Sequence, residues 1–138
     1  MDAQVKTEFS IYLADRPGEL AGVLEAAAAA GVEVWGLVVT ESAHRGLVRV
    51  LGDPEDALRH VFEAMVETGA GPVVETPVLV VPIGDRPGLI REIAARLGIS
   101  RINVQYAYCA PAVNGSPSRY VLRVSNAEQA RQAIEGIA

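Results

Sequence analysis

One phrase occurs twice in this chain. It reads Ala14-Asp15-Arg16-Pro17-Gly18-Glu19-Leu20 and, 70 residues later, Gly84-Asp85-Arg86-Pro87-Gly88-Leu89-Ile90. A repeat at that spacing in 138 residues restricts the fold to architectures that a duplicated unit of about 70 residues can build. Before each phrase, apolar residues alternate as on a half-buried strand: Phe9, Ile11, Leu13, and Leu79, Val81, Ile83. After each, they take helical spacing: Leu20, Val23, Leu24, Ala27, and Leu89, Ile90, Ile93, Leu97. Asp-Arg-Pro-Gly is therefore expected to be a strand-to-helix turn. Proline suits the first helical position, where a missing N–H costs nothing. The Asp carboxylate can accept from a free N–H of the turn, and glycine permits close backbone approach. The remaining N–H groups, with the helix dipole, suit a small anion such as a carboxylate or phosphate. The same residues equally make an ordinary turn.

Two units of this size have small cores and are marginal alone, so they are expected to bury surface together. Half the residues are hydrophobic, which is too apolar for a disordered chain. The net charge of −5 argues against a partner held by phosphate contacts, and there is neither a basic face nor an aromatic stripe for nucleic acid. The charge is uneven, with 12 acids and 5 bases in residues 1–70 against 5 acids and 7 bases in residues 71–138. Cys109 is the only cysteine, which leaves no intrachain disulfide and no cysteine-based metal cluster. The N-terminus lacks the apolar run of a signal peptide and no segment is long enough to span a bilayer, so a cytoplasmic protein without membrane contact is expected.

The first unit reads as a strand over 7–13, a helix over about 17–30 stopped by Gly31, and a strand over 32–40. A hairpin at 41–46 leads to a strand over 47–51. Asp53-Pro54-Glu55-Asp56 starts a second helix, with Asp53 as cap, carrying the stripe Leu58, Val61, Phe62, Met65. A short strand follows at 73–75, interrupted by Thr76-Pro77. The second unit opens with a strand over 78–83, a helix from Pro87 stopped by Gly98, and a strand over 102–108. A longer loop at 111–118 leads to a strand over 120–124 and a last helix capped by Ser125 or Asn126. Strand, helix, strand, strand, helix, strand is the ferredoxin-like βαββαβ order, an α+β fold with an antiparallel sheet and both helices on one face. The expected domains are 1–75 and 76–138, and the second has no final strand of its own, which leaves a sheet edge that invites pairing.

A ferredoxin-like unit with Asp-Arg-Pro-Gly at its first strand–helix turn resembles the ACT domain, a small-molecule-binding regulatory module of amino-acid metabolism. The resemblance covers both halves, and the whole chain is similar to stand-alone tandem ACT proteins that carry no attached enzyme. It implies domains joined side by side, a free amino acid bound at the seam, a homodimer, and an amino-acid-metabolism enzyme as a partner. It implies no cofactor. Carried over by position, the ligand-binding residues are Asp15, Pro17, Gly18, Glu19 and Leu20 in the first unit, and Asp85, Pro87, Gly88, Leu89 and Ile90 in the second. The family's asparagine at the start of the second strand is matched by Asn103, whereas Glu33 departs from it. An acid there either holds an ammonium group or marks a site that has lost binding.

Catalysis finds little support. His44 and His60 have no nucleophile or acid at a recognisable spacing and read as surface residues. Cys109 reads as a packed small residue, and Tyr106 and Tyr108 either wall a pocket or serve the sheet. Trp35 either stacks on a ligand or packs between domains. Ferredoxin-like folds also host small phosphatases, but Arg16 and Arg86 lack the phosphate loop that such chemistry requires. The expectation is a non-enzyme: an amino-acid-binding regulator, or alternatively a ligand-free interaction module acting on a partner enzyme.

Overall fold

In the computed structural model, the residues described are 2–14, 16–42, 45–112 and 115–137. They form β1 (Gln4–Ala14), α1 (Glu19–Ala29), β2 (Glu33–Ser42), β3 (Arg45–Asp53), α2 (Glu55–Glu67), β4 (Val73–Pro82), α3 (Leu89–Ile99), β5 (Val104–Ala110), β6 (Arg119–Val124) and α4 (Ala127–Ile134). The chain divides into two compact units, one of Thr7–Thr76 and the other of Met1–Lys6 with Pro77–Ala138.

In the first unit the strand order is β2-β3-β1-β4. β1 pairs antiparallel with β3, Phe9 opposite Val50, and β2 pairs antiparallel with β3, Leu37 opposite Val50. The odd positions of β1 carry the apolar face that the alternation predicts. Phe9, Ile11 and Leu13 pack with Val48 and Val50 against Val23 and Ala27 of α1 and Leu58 and Phe62 of α2. The Phe9 and Phe62 rings stack with centroids 5.6 Å apart. The even positions were expected to face water, but Glu8 and Ser10 are buried as well. Ser10 accepts there from Arg49 Nη1 at 3.4 Å, so a polar group on that face has a partner of its own.

Arg59 ties the second helix to the sheet. Its guanidinium donates to Asp56 at 2.7 Å and to Glu75 of β4 at 2.9 Å, and it lies over the Phe9 ring. Hydrogen bonding from Arg59 holds the Glu75 carboxyl below its ordinary range, against an opposing desolvation effect. Because the folded-state value is the lower one, this contribution to stability is present at neutral pH and is lost as pH falls.

The second unit corrects the expectation that it lacks a fourth strand. Its order is β1-β4-β6-β5, and residues up to Lys6 of β1 stand at the place of the missing strand. The unit therefore draws its fourth strand from the start of the chain, and the division falls at 6/7 and 76/77, not only at 75/76. Unpaired backbone groups along β4 supply the physical reason. Likewise β4 is one continuous strand through Thr76-Pro77, since proline's fixed φ is compatible with extended backbone. The core is Leu79 and Val81 of β4, Leu122 and Val124 of β6, Leu89, Ile93 and Leu97 of α3, and Ala130 and Ile134 of α4, with Ala3 packed against it.

Helix boundaries follow backbone conformation more closely than residue type. Gly18 and Gly88, both left-handed, cap α1 and α3 without a side-chain cap bond, so Pro17 and Pro87 lie just outside the helices. α2 starts at Glu55 with Pro54 as its cap position, and not at a side-chain cap from Asp53. Asn126 does cap α4, accepting from the Gln129 N–H at 3.0 Å. α3 runs through Gly98 to Ile99, and the left-handed residue that follows its end is Arg101, not Gly98.

That stop repeats the one after α1. Gly31 (φ 76°) and Arg101 (φ 58°) both turn left-handed. Val32 N–H donates to Ala27 O at 3.0 Å, and Ile102 N–H donates to Leu97 O at 2.9 Å. A left-handed non-glycine residue costs about 1–2 kcal/mol, and glycine's extra chain entropy returns about 0.5–1 kcal/mol. Arg101→Gly is therefore expected to stabilise the protein by about 0.5–1 kcal/mol, and Gly31→Ala to destabilise it by about 1 kcal/mol, both read from urea unfolding. Glu75→Gln is expected to flatten the loss of stability between neutral pH and roughly pH 4; unfolding curves at the two pH values, compared with the parent protein, measure it.

Candidate functional site

The two repeated turns fold alike. Gly18 has φ 90° and Gly88 φ 79°. In each turn the N–H following the glycine donates to the arginine carbonyl two residues before it, Glu19 to Arg16 at 3.4 Å and Leu89 to Arg86 at 3.3 Å. The glycines are there for the left-handed conformation and not for close approach, because a Cβ added at Gly18 would meet nothing within 4 Å.

The turn residues proposed from the sequence divide by exposure. Pro17, Gly18, Asp85, Pro87, Gly88 and Ile90 are exposed. Asp15 lies outside the described residues, as does His44. Glu19 is half-buried and accepts from Arg16 Nη2 at 2.6 Å and Nε at 3.1 Å. Leu20 is half-buried against the first core, and Leu89 is a core side chain of the second, leaving Ile90 as the apolar residue of that turn that faces outward. Glu33 accepts from Trp35 Nε1 at 3.0 Å, so the acid in place of the expected asparagine is engaged by an indole on its own strand. Asn103 has an exposed side chain, and its carbonyl accepts from Ser125 N–H at 3.2 Å. Cys109 is exposed, not packed, because it falls on the outward-facing positions of β5. Its cross-strand neighbour is Tyr120, whose phenol is pushed up by burial and then by the nearby thiol.

A cavity of about 420 Å³ lies in the first unit. Four stretches line it: Tyr12, Leu13 and Ala14 at the end of β1; Arg16 and Glu19 of the turn; Arg45 opening β3; and Met65 with residues 68–71 after α2. These segments meet because β1, α1, β3, α2 and β4 of a ferredoxin-like unit all begin or end at the same edge. Arg45 places its guanidinium carbon 4.7 Å from the centre of the Tyr12 ring. Gly71 N–H donates to Tyr12 O at 3.1 Å and pins the floor. Thr68 hydroxyl donates to Met65 O at 2.9 Å, which leaves its oxygen able to accept. Chemically this is a small pocket with apolar walls, two guanidiniums and one carboxylate already held by Arg16.

Of these residues the sequence motif contains Ala14, Arg16 and Glu19, while Tyr12, Arg45, Met65 and Thr68 were not anticipated. The repeat carries no signal for the pair Tyr12 and Arg45: by the strand registers the second unit has Pro82 and Pro117 at these positions, since Tyr12 pairs with Leu47 and Pro82 with Arg119.

No family model and no curated protein matches the chain. Solved structures do. Protein BT0572 from Bacteroides thetaiotaomicron is 24% identical, with a TM-score of 0.77 over 98% of this chain and 90% of that one. The ligand-free regulatory subunit of aspartate kinase from Thermus thermophilus is 14% identical, with a TM-score of 0.65 over 96% of this chain and 94% of that one. The regulatory subunit of aspartate kinase from Thermus flavus is 14% identical, with a TM-score of 0.57 over 98% and 95%. The chain has the fold of these regulatory subunits, in keeping with the ACT resemblance. Among the described residues no helix is long and apolar enough to cross a membrane.

Gly71 offers a direct check on the cavity. A Cβ there would lie 2.9 Å from Tyr12 O and 3.0 Å from Arg45 Nη2. Gly71→Ala is expected to destabilise the protein by about 1–3 kcal/mol in chemical unfolding, because backbone has to move, while alanine at the unobstructed helical Gly22 stabilises it by about 0.5–1 kcal/mol.

Proposed function

We propose that this chain is a cytoplasmic, homodimeric regulatory protein of two ACT domains that binds a free amino acid at the seam between domains and passes the binding state to an enzyme of amino-acid metabolism. The observation that carries the reading is the pair of matching turns. Two left-handed glycines follow Asp-Arg-Pro, each exposed, on a fold shared with aspartate kinase regulatory subunits. In this reading the α-carboxylate takes N–H groups of the Gly88 turn, or of its counterpart at Gly18, at the positive end of a helix. The α-ammonium meets the exposed amide of Asn103 or nearby carbonyls. Asp15, Pro17, Glu19 and Leu20 in the first unit, and Asp85, Pro87, Leu89 and Ile90 in the second, shape and orient the turns. Glu33 is the first unit's substitute for asparagine. Binding across two domains stabilises one arrangement, which a partner can sense. Chemistry is not required of any residue.

A thermal-shift screen against the twenty amino acids tests this. A concentration-dependent rise with one or a few is expected. Asn103→Ala, at an exposed position, is expected to weaken that ligand about tenfold, the equivalent of one hydrogen bond to a charged group. No shift with any amino acid, in folded protein, would instead leave an interaction module that acts on its partner without a ligand.

A further inference from the structure

We propose that the cavity of the first unit is a binding site for a small carboxylic acid and that Arg45 is the residue that holds the carboxylate. This goes beyond the regulatory reading in its location and anchor. It rests on that reading only in expecting the acid to be an α-amino acid.

The argument starts with Arg45. Its guanidinium lies over the Tyr12 ring, 4.7 Å from the centroid. A guanidinium over a ring face is attracted to it and keeps its in-plane N–H donors for other acceptors. The other arginine of the cavity, Arg16, is committed to Glu19. Among the described residues Arg45 has no carboxylate partner. A planar fork of donors, held by stacking at the mouth of a cavity, matches a carboxylate in shape as well as in charge.

The rest of the cavity fits the other parts of such a ligand. Leu13 and Met65 give apolar wall. The Thr68 hydroxyl oxygen and the second oxygen of Glu19 can accept from an ammonium. At about 420 Å³ the volume is at the small end for ligand sites, adequate for an amino acid and tight for a nucleotide.

The repeat supplies an independent comparison. Tyr12 pairs with Leu47 in the first unit and Pro82 with Arg119 in the second, so the residue equivalent to Arg45 in the second unit is Pro117. The residue equivalent to Tyr12 is Pro82 itself. The stacked pair is thus peculiar to the first unit and is not a by-product of the duplicated fold.

The test is calorimetric titration of the intact protein with L-leucine and L-valine, with isovalerate (carboxylate without ammonium), isoamylamine (ammonium without carboxylate) and inorganic phosphate. The expected result is binding of at least one of the three acids, none of the amine, and weaker binding of phosphate. Arg45→Gln is expected to weaken the acid at least tenfold, and Arg45→Lys, which keeps the charge and loses the fork, to restore part of it. Arg45 is exposed, and unfolding curves of both variants confirm that they are folded. Unchanged affinity in Arg45→Gln overturns the proposal, as does amine or phosphate binding as strong as acid binding, or no acid binding at all. The two readings fail separately. An amino acid lost in Asn103→Ala but not in Arg45→Gln keeps the seam and removes the cavity site. Isovalerate binding through Arg45 without amino-acid binding does the reverse.

Discussion

The backbone groups along β1 and β4 set the terms for everything else. A ferredoxin-like unit needs four strands, and its first strand is flanked on both sides, so neither of its edges can be left without a partner inside the sheet. Here β1 and β4 are each long enough, at 11 and 10 residues, to contribute to both units. Residues up to Lys6 complete the unit that begins at Pro77, and residues from Val73 to Thr76 complete the one that begins at Thr7. The two repeated turns are the exits from these same two strands. The place where the motif occurs is therefore fixed by the most constrained strands in the chain, and the exposed glycines are held by well-buried neighbours such as Leu13 and Val81.

What has been kept between the halves is backbone geometry more than side chains. Gly18 and Gly88 share a conformation, and so do Gly31 and Arg101, although one of that pair is arginine. Glu19 and Leu20 of the first turn stand where the second has Leu89 and Ile90, yet the turn closes through the same N–H to carbonyl bond. The halves diverge where a side chain meets solvent or a cavity. Arg45 lies over the Tyr12 ring at an opening, while the equivalent positions of the second half hold two prolines, Pro82 and Pro117. One framework thus presents two different surfaces.

Much of this was legible in the sequence because it depends on local periodicity. The alternation of Phe9, Ile11 and Leu13 and the stripe of Leu58, Val61 and Phe62 place core residues correctly, since each follows from the pitch of a strand or helix. The strand-to-helix nature of the repeated phrase was legible for the same reason. Three features were not. The continuity of β4 through Thr76-Pro77 depends on a partner strand far away in sequence, so proline read locally as a break. Burial of Glu8 and Ser10 contradicts the polar half of the alternation, because the pattern reports on one face of a strand and is silent when both are covered. The cavity joins Tyr12, Arg45 and Thr68, which share no spacing; only topology brings them to one edge. The turn residues themselves were visible, but their exposure was not, and Leu89 shows how a motif position can be a core position.

The borrowing of one short strand segment has a bearing on how such a protein could have evolved. A duplicated gene usually leaves two copies that can be separated again, each with its own complete sheet. Once the opening residues of the chain had become the border of the later copy's sheet, that copy no longer held a full complement within its own stretch of sequence, whereas the earlier one, Thr7–Thr76, kept all four of its strands. Fission of the gene at the repeat boundary would deprive the later product of a strand, so selection for folding alone would keep the copies fused, leaving their surfaces free to diverge in role.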